Sequence, residues 1–289
     1  MPDWSTLFEQ LETEGVHISP GTTPSPVSGG DISAAWRLPS TNGDLFIKTG
    51  PESSENMFAA EADAIAELAR PGGPRVPRLI ATGQCGSLAY LALEWIRLEL
   101  ADAKVEHLMG QQLAELHRNT RDRYGWHRDN TIGLTPQINT WHENWIDFYR
   151  EHRLAFQLRL ATDNGFGRDL KERGSRLLKR LPVYFENTAP PASILHGDLW
   201  GGNWGSSEAQ PVIFDPAVYY GDRETDIAMT RLFGGFGTAF YDAYEAAWPL
   251  ADGHEDRQHL YQLYHVLNHL NLFGSGYLGR AIGLMDKLL

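Results

Sequence analysis

The chain has 289 residues, 42% of them apolar, which is enough for a real core in one large domain or two modest lobes. A formal charge of −12 without any long Lys/Arg run argues against nucleic-acid binding, and any phosphate ligand must then be held by metal ions, a lysine or backbone amides. The lone Cys85 excludes an internal disulfide framework, and no apolar run is long enough to cross a bilayer. With neither a signal nor a transit pattern near the start, a reducing, cytoplasmic setting away from membranes is expected.

In chain order, Trp4, Leu7, Phe8 and Leu11 recur at helical spacing and predict a first helix that ends near Gly15. Residues 33–38 and 45–48 read as antiparallel strands around Asn42-Gly43, a pair that accepts the positive φ of a tight hairpin. Ser53 and Ser54 are candidate caps for a helix whose apolar face is Phe58, Ala62, Ile65 and Ala69, stopped by Pro71-Gly72-Gly73-Pro74. Two more strands follow, over 77–81 and 88–95. Beyond them the spacing of Val105, Leu108, Met109, Gln112 and Leu116 is helical, as are 141–160 and 260–270. Strands first and helices later predict an α+β chain, with a β-rich lobe over 1–95 and a helical lobe over 96–289.

The densest chemical signal runs from His196-Gly197-Asp198 to Asn203, followed by an apolar stretch that ends at Asp215. Phosphoryl transfer needs a carboxylate to orient and deprotonate the attacking hydroxyl, and oxygen ligands to hold Mg²⁺ against the phosphates. Asp198 and Asn203 have the Asp-x-x-x-x-Asn spacing of kinase catalytic loops, and Asp215 stands where a kinase places its metal-binding aspartate. Gly201 and Gly202 would let that loop approach phosphates, while His196 packs and hydrogen-bonds to hold it.

Lys48 lies on a strand, where its cation can meet the α/β-phosphates of ATP, with Glu61 on the next helix as its carboxylate partner. Gly29 and Gly30 occupy the place of a phosphate-covering turn, and Glu94-Trp95-Ile96 that of an interlobe connection whose backbone meets adenine. His265 and His269, four residues apart, lack the glutamate and third ligand of a zinc site, and Cys85 reads as an inert turn residue.

Taken together these segments resemble the fructosamine (ketosamine) kinases, which group with aminoglycoside and choline kinases in the two-lobed protein-kinase-like fold. The markers are Gly29-Gly30-Asp31-Ile32-Ser33, Phe46-Ile47-Lys48, the run from His196 to Asn203, Phe214-Asp215-Pro216-Ala217, and Tyr220 through Met229 into Leu232-Phe233-Gly234-Gly235-Phe236. Asn130-Thr131-Ile132-Gly133, Pro136-Gln137 and Trp145 with Phe148 resemble the family's segment over the acceptor side of the cleft.

The resemblance implies a small antiparallel-sheet lobe, a mainly helical lobe, and phosphorylation by MgATP of a sugar hydroxyl, at C3, on a glycated amine or a glycated protein lysine, for deglycation. It implies Asp198 as base, Asn203 and Asp215 as magnesium ligands, Lys48 with Glu61 on the phosphates, and Asp226 as a brace of the catalytic loop. Trp200 would line the sugar pocket. Asp222, Arg223 and Glu224 would contact the acceptor or form surface ion pairs. Some relatives carry a cysteine where Asp31 stands here, so a thiol switch at that turn is not expected. His-Gly-Asp and Asp-Pro-Ala in place of His-Arg-Asp and Asp-Phe-Gly argue against a protein kinase. An aminoglycoside, a choline-like alcohol or a simple sugar is the alternative acceptor.

Overall fold

The computed structural model describes residues 4–27 and 33–289, so Gly29, Gly30 and Asp31 lie outside the described residues. Helix α1 (Trp4–Thr13) buries Leu7 and Leu11 on one face of a five-stranded antiparallel sheet. Its strands are β1 (Ser25–Val27), β2 (Ala34–Leu38), β3 (Leu45–Pro51), β4 (Leu79–Cys85) and β5 (Leu88–Glu94), in the order β1-β2-β3-β5-β4. The period-two alternation of a strand sorts their side chains. Leu45, Ile47, Tyr90 and Ala92 join Leu7 and Leu11 on the outer face, as does Cys85 at the end of β4. Phe46, Ala89, Leu91 and Leu93 pack on the inner face against Phe58, Ala62 and Ile65 of α2 (Glu55–Leu68).

The same alternation turns Lys48, two residues after Phe46, inward. Neither Ser53 nor Ser54 caps α2 as expected. Glu52–Ser54 form a 3₁₀ turn, Ser54 is already helical with φ −84°, and its side chain makes no capping bond.

Residues 95–102 connect the sheet to α3 (Ala103–His117), where Asp102, unnoticed in the sequence, caps the helix by accepting the Lys104 and Val105 amides at 2.9 Å each. After β6 (Thr120–Arg121), a hairpin of β7 (Asn130–Ile132) and β8 (Thr135–Gln137) leads to α4 (Trp145–Tyr149). A π-helical turn over Arg150–Leu154 joins α4 to α5 (Ala155–Asp163), so the helix expected from 141 begins at Trp145 behind an Asn144 cap.

Next come α6 (Arg168–Arg180), β9 (Ala192–Leu195), the hairpin β10 (Trp204–Ser207) and β11 (Gln210–Ile213), and β12 (Tyr219–Gly221). The chain ends in α7 (Glu224–Thr230), α8 (Thr238–Ala247), α9 (His254–Phe273) and α10 (Leu278–Leu288). Strands β12, β9 and β6 form a small antiparallel sheet within the helical lobe. One continuous core joins Met109 and Leu113 of α3, Phe148 and Tyr149 of α4, Ile194 and Leu195 of β9, and Tyr261 and Tyr264 of α9. The architecture is the expected antiparallel-sheet lobe on a mainly helical one. No helix among the described residues is long and apolar enough to cross a membrane.

Candidate active site

Strand β9 is buried at every position and delivers the chain to His196. Gly197 then turns with φ +83°, and a Cβ there would stand 2.0 Å from the Ala217 carbonyl oxygen, so only glycine fits. The buried His196 ring holds both ends of the site. Its Nε2–H donates to the Phe214 carbonyl at 3.0 Å, and Nδ1 accepts the Asp198 amide at 3.3 Å. That tautomer is neutral, in line with burial lowering the ring's pKa.

Asp226, in the first turns of α7, accepts the amides of His196 at 2.7 Å and Gly197 at 2.9 Å. His117, the last residue of α3, donates from Nε2 to the same carboxylate at 3.1 Å and accepts the Tyr244 hydroxyl on Nδ1 at 2.8 Å. Arg223 in turn donates to that hydroxyl at 2.9 Å. Burial works against the Asp226 charge, but His117 and the loop amides outweigh it and hold its pKa below the usual carboxylate value. His117 and Tyr244 escaped the sequence reading. The available signal was that His117 continues the buried i, i+4 row Val105, Met109, Leu113, where a polar side chain needs a partner.

Asn203 turns its Nδ2 toward Asp198, donating to the backbone carbonyl at 2.9 Å and to Oδ2 at 3.2 Å. Its own carbonyl accepts the Phe214 amide at 3.0 Å, which ties the catalytic loop to the strand leading to Asp215. Asp215 adopts a left-handed backbone, φ +55°, uncommon for a non-glycine residue. The Lys48 ammonium bridges the lobes, 2.7 Å from Glu61 on α2 and 2.7 Å from Asp215. Burial opposes the Lys48 charge, yet the two carboxylates prevail and raise its pKa. Burial, then the nearby Asp215 charge, push Asp198 up to about 7.

These groups face a cleft of about 950 Å³. Lys48, Glu61, Glu94, Trp95, Ile96, Asp198, Trp200, Asn203 and Asp215 all line it, as do Val27 and Ser33, the described residues nearest to Gly29 and Gly30. The Glu94 and Trp95 amides already donate to Arg78 and Asp44 carbonyls at 2.9 Å each, so those two donors do not face a ligand. Gly202 is explained by the chain itself, because a Cβ there would stand 2.3 Å from the Trp200 ring.

The sequence model for fructosamine kinases matches residues 3–289. A probable ketoamine kinase of Synechocystis sp. is 39% identical over 290 residues, covering 99% of this chain and 97% of the relative. A chloroplastic protein-ribulosamine 3-kinase of Arabidopsis thaliana is 40% identical over 287 residues, covering 98% and 87%. A crystal structure from Haemophilus somnus, provisionally assigned as a fructosamine-3-kinase, superposes with a TM-score of 0.89 at 28% identity, covering 99% of this chain and 97% of that one.

The chain belongs to the fructosamine kinase family. Membership makes it an ATP-dependent kinase, as the cleft residues anticipate.

The β7–β8 hairpin forms a wall of the cleft through Asn130, Thr131, Ile132 and Gly133. Buried amides lock it to the segment after Asp215. Asn130 Nδ2 donates to the Val218 carbonyl at 2.9 Å, and Gln137 Nε2 donates to the Ala217 carbonyl at 3.0 Å and to Asn130 Oδ1 at 2.9 Å. Trp200, 39% exposed, lies edge-on to Phe233, which faces His269 across 4.7 Å. His269 spends Nδ1 on the His265 carbonyl at 2.8 Å, and burial drives the His265 ring down to about 3, so that ring is neutral.

The acidic segment after Tyr220 needs correction. Asp222, Arg223 and Glu224 are 2%, 6% and 6% exposed and line no part of the cleft, so they neither touch an acceptor nor form surface pairs. Asp222 accepts the Glu224 amide and the Tyr261 hydroxyl, Arg223 donates to Tyr244 and to the Trp248 and Pro249 carbonyls, and Glu224 takes a two-pronged bond from Arg257 at 2.7 and 2.8 Å. Burial and the Glu224 charge push Asp222 up to about 7. The trio joins α7 to α8 and α9, which is why charged residues stand inside.

Proposed function

We propose that this protein transfers the γ-phosphoryl group of MgATP to the C3 hydroxyl of a ketosamine, a glycated small amine or lysine, in the cytoplasm, so that the adduct can be removed. The observation that carries this reading is the Lys48 bridge between Glu61 and Asp215, set beside the Asp198–Asn203 pair in one cleft. Residues 1–95 supply the nucleotide side and 96–289 the acceptor side.

Lys48, fixed by Glu61, meets the phosphates, with Glu94, Trp95 and Ile96 beside the base. Asp198 orients the hydroxyl and takes its proton as the O–P bond forms and the bond to ADP breaks. The oxygen donors Asn203 Oδ1, turned away from Asp198 by the Nδ2 bonds, and the half-exposed Asp215 carboxylate suit a hard cation and would hold Mg²⁺, which would supply positive charge against the phosphates. The Trp200 indole offers a flat apolar face to sugar C–H groups. Support for C3 and for a ketose-derived amine comes from the names of the Synechocystis and Arabidopsis relatives.

The test is ADP release with MgATP across fructoselysine, a ribosylated amine, kanamycin, choline and glucose. Turnover on the two ketosamines, with kcat/KM at least about a hundredfold above the others, is the expected result. Turnover confined to kanamycin, choline or glucose would sink the acceptor assignment. A base must be deprotonated to act, so kcat/KM should fall as pH drops below about 7, tenfold per unit on the acid limb. Bound Mg²⁺ moves that inflection downward, since a cation favours the carboxylate. A flat profile from pH 5 to 8 would remove Asp198 from the proton-transfer role.

A further inference from the structure

Away from the cleft, three metal-ligating side chains converge where α4 passes into α5. His142 Nε2 and His152 Nε2 are 2.8 Å apart, Glu151 Oε2 is 3.9 Å from His142 Nε2, and one ligand atom from each residue falls within 4.8 Å of the others. None of the three lines the catalytic cleft. We infer that His142, Glu151 and His152 form a binding site for one zinc-class divalent cation, separate from the phosphoryl-transfer centre.

The backbone prepares this arrangement. His142 is pinned by a two-way bridge, its amide and carbonyl each 2.8 Å from Tyr124. His152 and Glu151 sit in the π-helical turn Arg150–Leu154, whose extra residue per turn re-aims side chains and which recurs at functional sites. Both imidazoles stand edge-on to the buried Phe148 ring, with centroids 5.9 and 5.5 Å away. The next residue, Arg153, is buried and donates to the Ile138 carbonyl and to Asn139 Oδ1 at 2.7 Å each, so the turn cannot drift.

Without a cation the two rings share one proton between facing nitrogens, one ring donating to the other. A cation takes both lone pairs, and Glu151 offsets part of its charge. Zn–N bonds of about 2.0–2.1 Å in tetrahedral geometry separate two donors by roughly 3.3 Å, so the rings need part by only about half an ångström. Glu151, which is exposed, can swing in to supply the third ligand. Two imidazoles and a carboxylate select zinc-like ions over Mg²⁺, whose preference is for oxygen alone. Bound metal would clamp the 142 loop to the π turn, and through Arg153 and Asn139, which donates to Asn130 Oδ1, would stiffen the hairpin wall of the cleft.

The test is Zn²⁺ alone, titrated into the EDTA-stripped full chain in excess Mg²⁺ without nucleotide, read by competition with a chromophoric chelator. About one equivalent should bind, be lost in His142→Ala and His152→Ala, and be weakened in Glu151→Gln, whose exposed side chain leaves folding intact. Co²⁺ in its place should give the intense visible absorption of a tetrahedral site, and Zn²⁺ at a hundredfold excess over Kd should raise Tm by about 5 °C. Absence of Zn²⁺ binding by the unaltered protein, or affinity unchanged in Glu151→Gln and in whichever histidine variants fold, would overturn the site.

Discussion

Asp198→Asn lowers kcat on the ketosamine by about a thousandfold while MgATP binds as well as before or better. The amide keeps the size of the side chain and an oxygen to accept the Asn203 Nδ2 bond, now 3.2 Å long, so the loop geometry survives. What is lost is the group that takes the proton. One negative charge beside Asp215 also disappears, which favours the anionic nucleotide.

Stability should move the other way from activity. A carboxylate with its folded pKa raised to about 7 binds protons more tightly folded than unfolded, so its contribution to stability falls as pH climbs from about 4 to 7. The Asn variant escapes that loss, and its Tm at pH 8 should equal or exceed that of the parent. Initial-rate kinetics with a parallel nucleotide titration checks the activity, and thermal melts at pH 8 check the stability. A variant retaining more than a tenth of parental kcat would show that Asp198 is not the base.

Arg257→Ala costs about 3–5 kcal/mol of stability and lowers Tm on the order of 10 °C. Arg257 is 2% exposed and holds Glu224 through two charge-assisted bonds, while its other donors reach the Ala251, Asp252 and Tyr184 carbonyls. Truncation strands the Glu224 carboxylate in the interior beside Asp222, which burial and the Glu224 charge already hold near neutral pH. The start of α9 then loses its anchor to α7, the helix that carries Asp226 beneath the catalytic loop, so activity falls with stability. Glu224→Gln combined with Arg257→Met, which leaves no orphaned charge, should recover a substantial part of the loss. Urea unfolding of the single and double variants measures this, and a loss under 1 kcal/mol for Arg257→Ala would show the pair to be energetically idle.

Much of the site was legible because its chemistry is local. Asp198 and Asn203 lie five residues apart on one loop, and their spacing survives folding unchanged. The Lys48–Glu61 pair could be anticipated because a strand alternates and a helix repeats, so each residue's face follows from its neighbours. The π turn, the Asp102 cap and the absent Ser54 cap were harder, since competing local hydrogen bonds of similar energy decide them.

By itself the sequence determined the first helix, the strands and helix that follow it in the amino-terminal lobe, and the close spacing of Asp198 and Asn203 on one loop. Only the tertiary structure decided which charges are buried. Asp222, Arg223 and Glu224 read as acceptor contacts or surface ion pairs until Arg257, Tyr244 and Tyr261 arrive from α8 and α9, and His117 looks like a helix end until Asp226 meets it from over a hundred residues away. A charge goes inside only where a partner replaces water, and that partner is supplied by packing between elements, which no local spacing encodes.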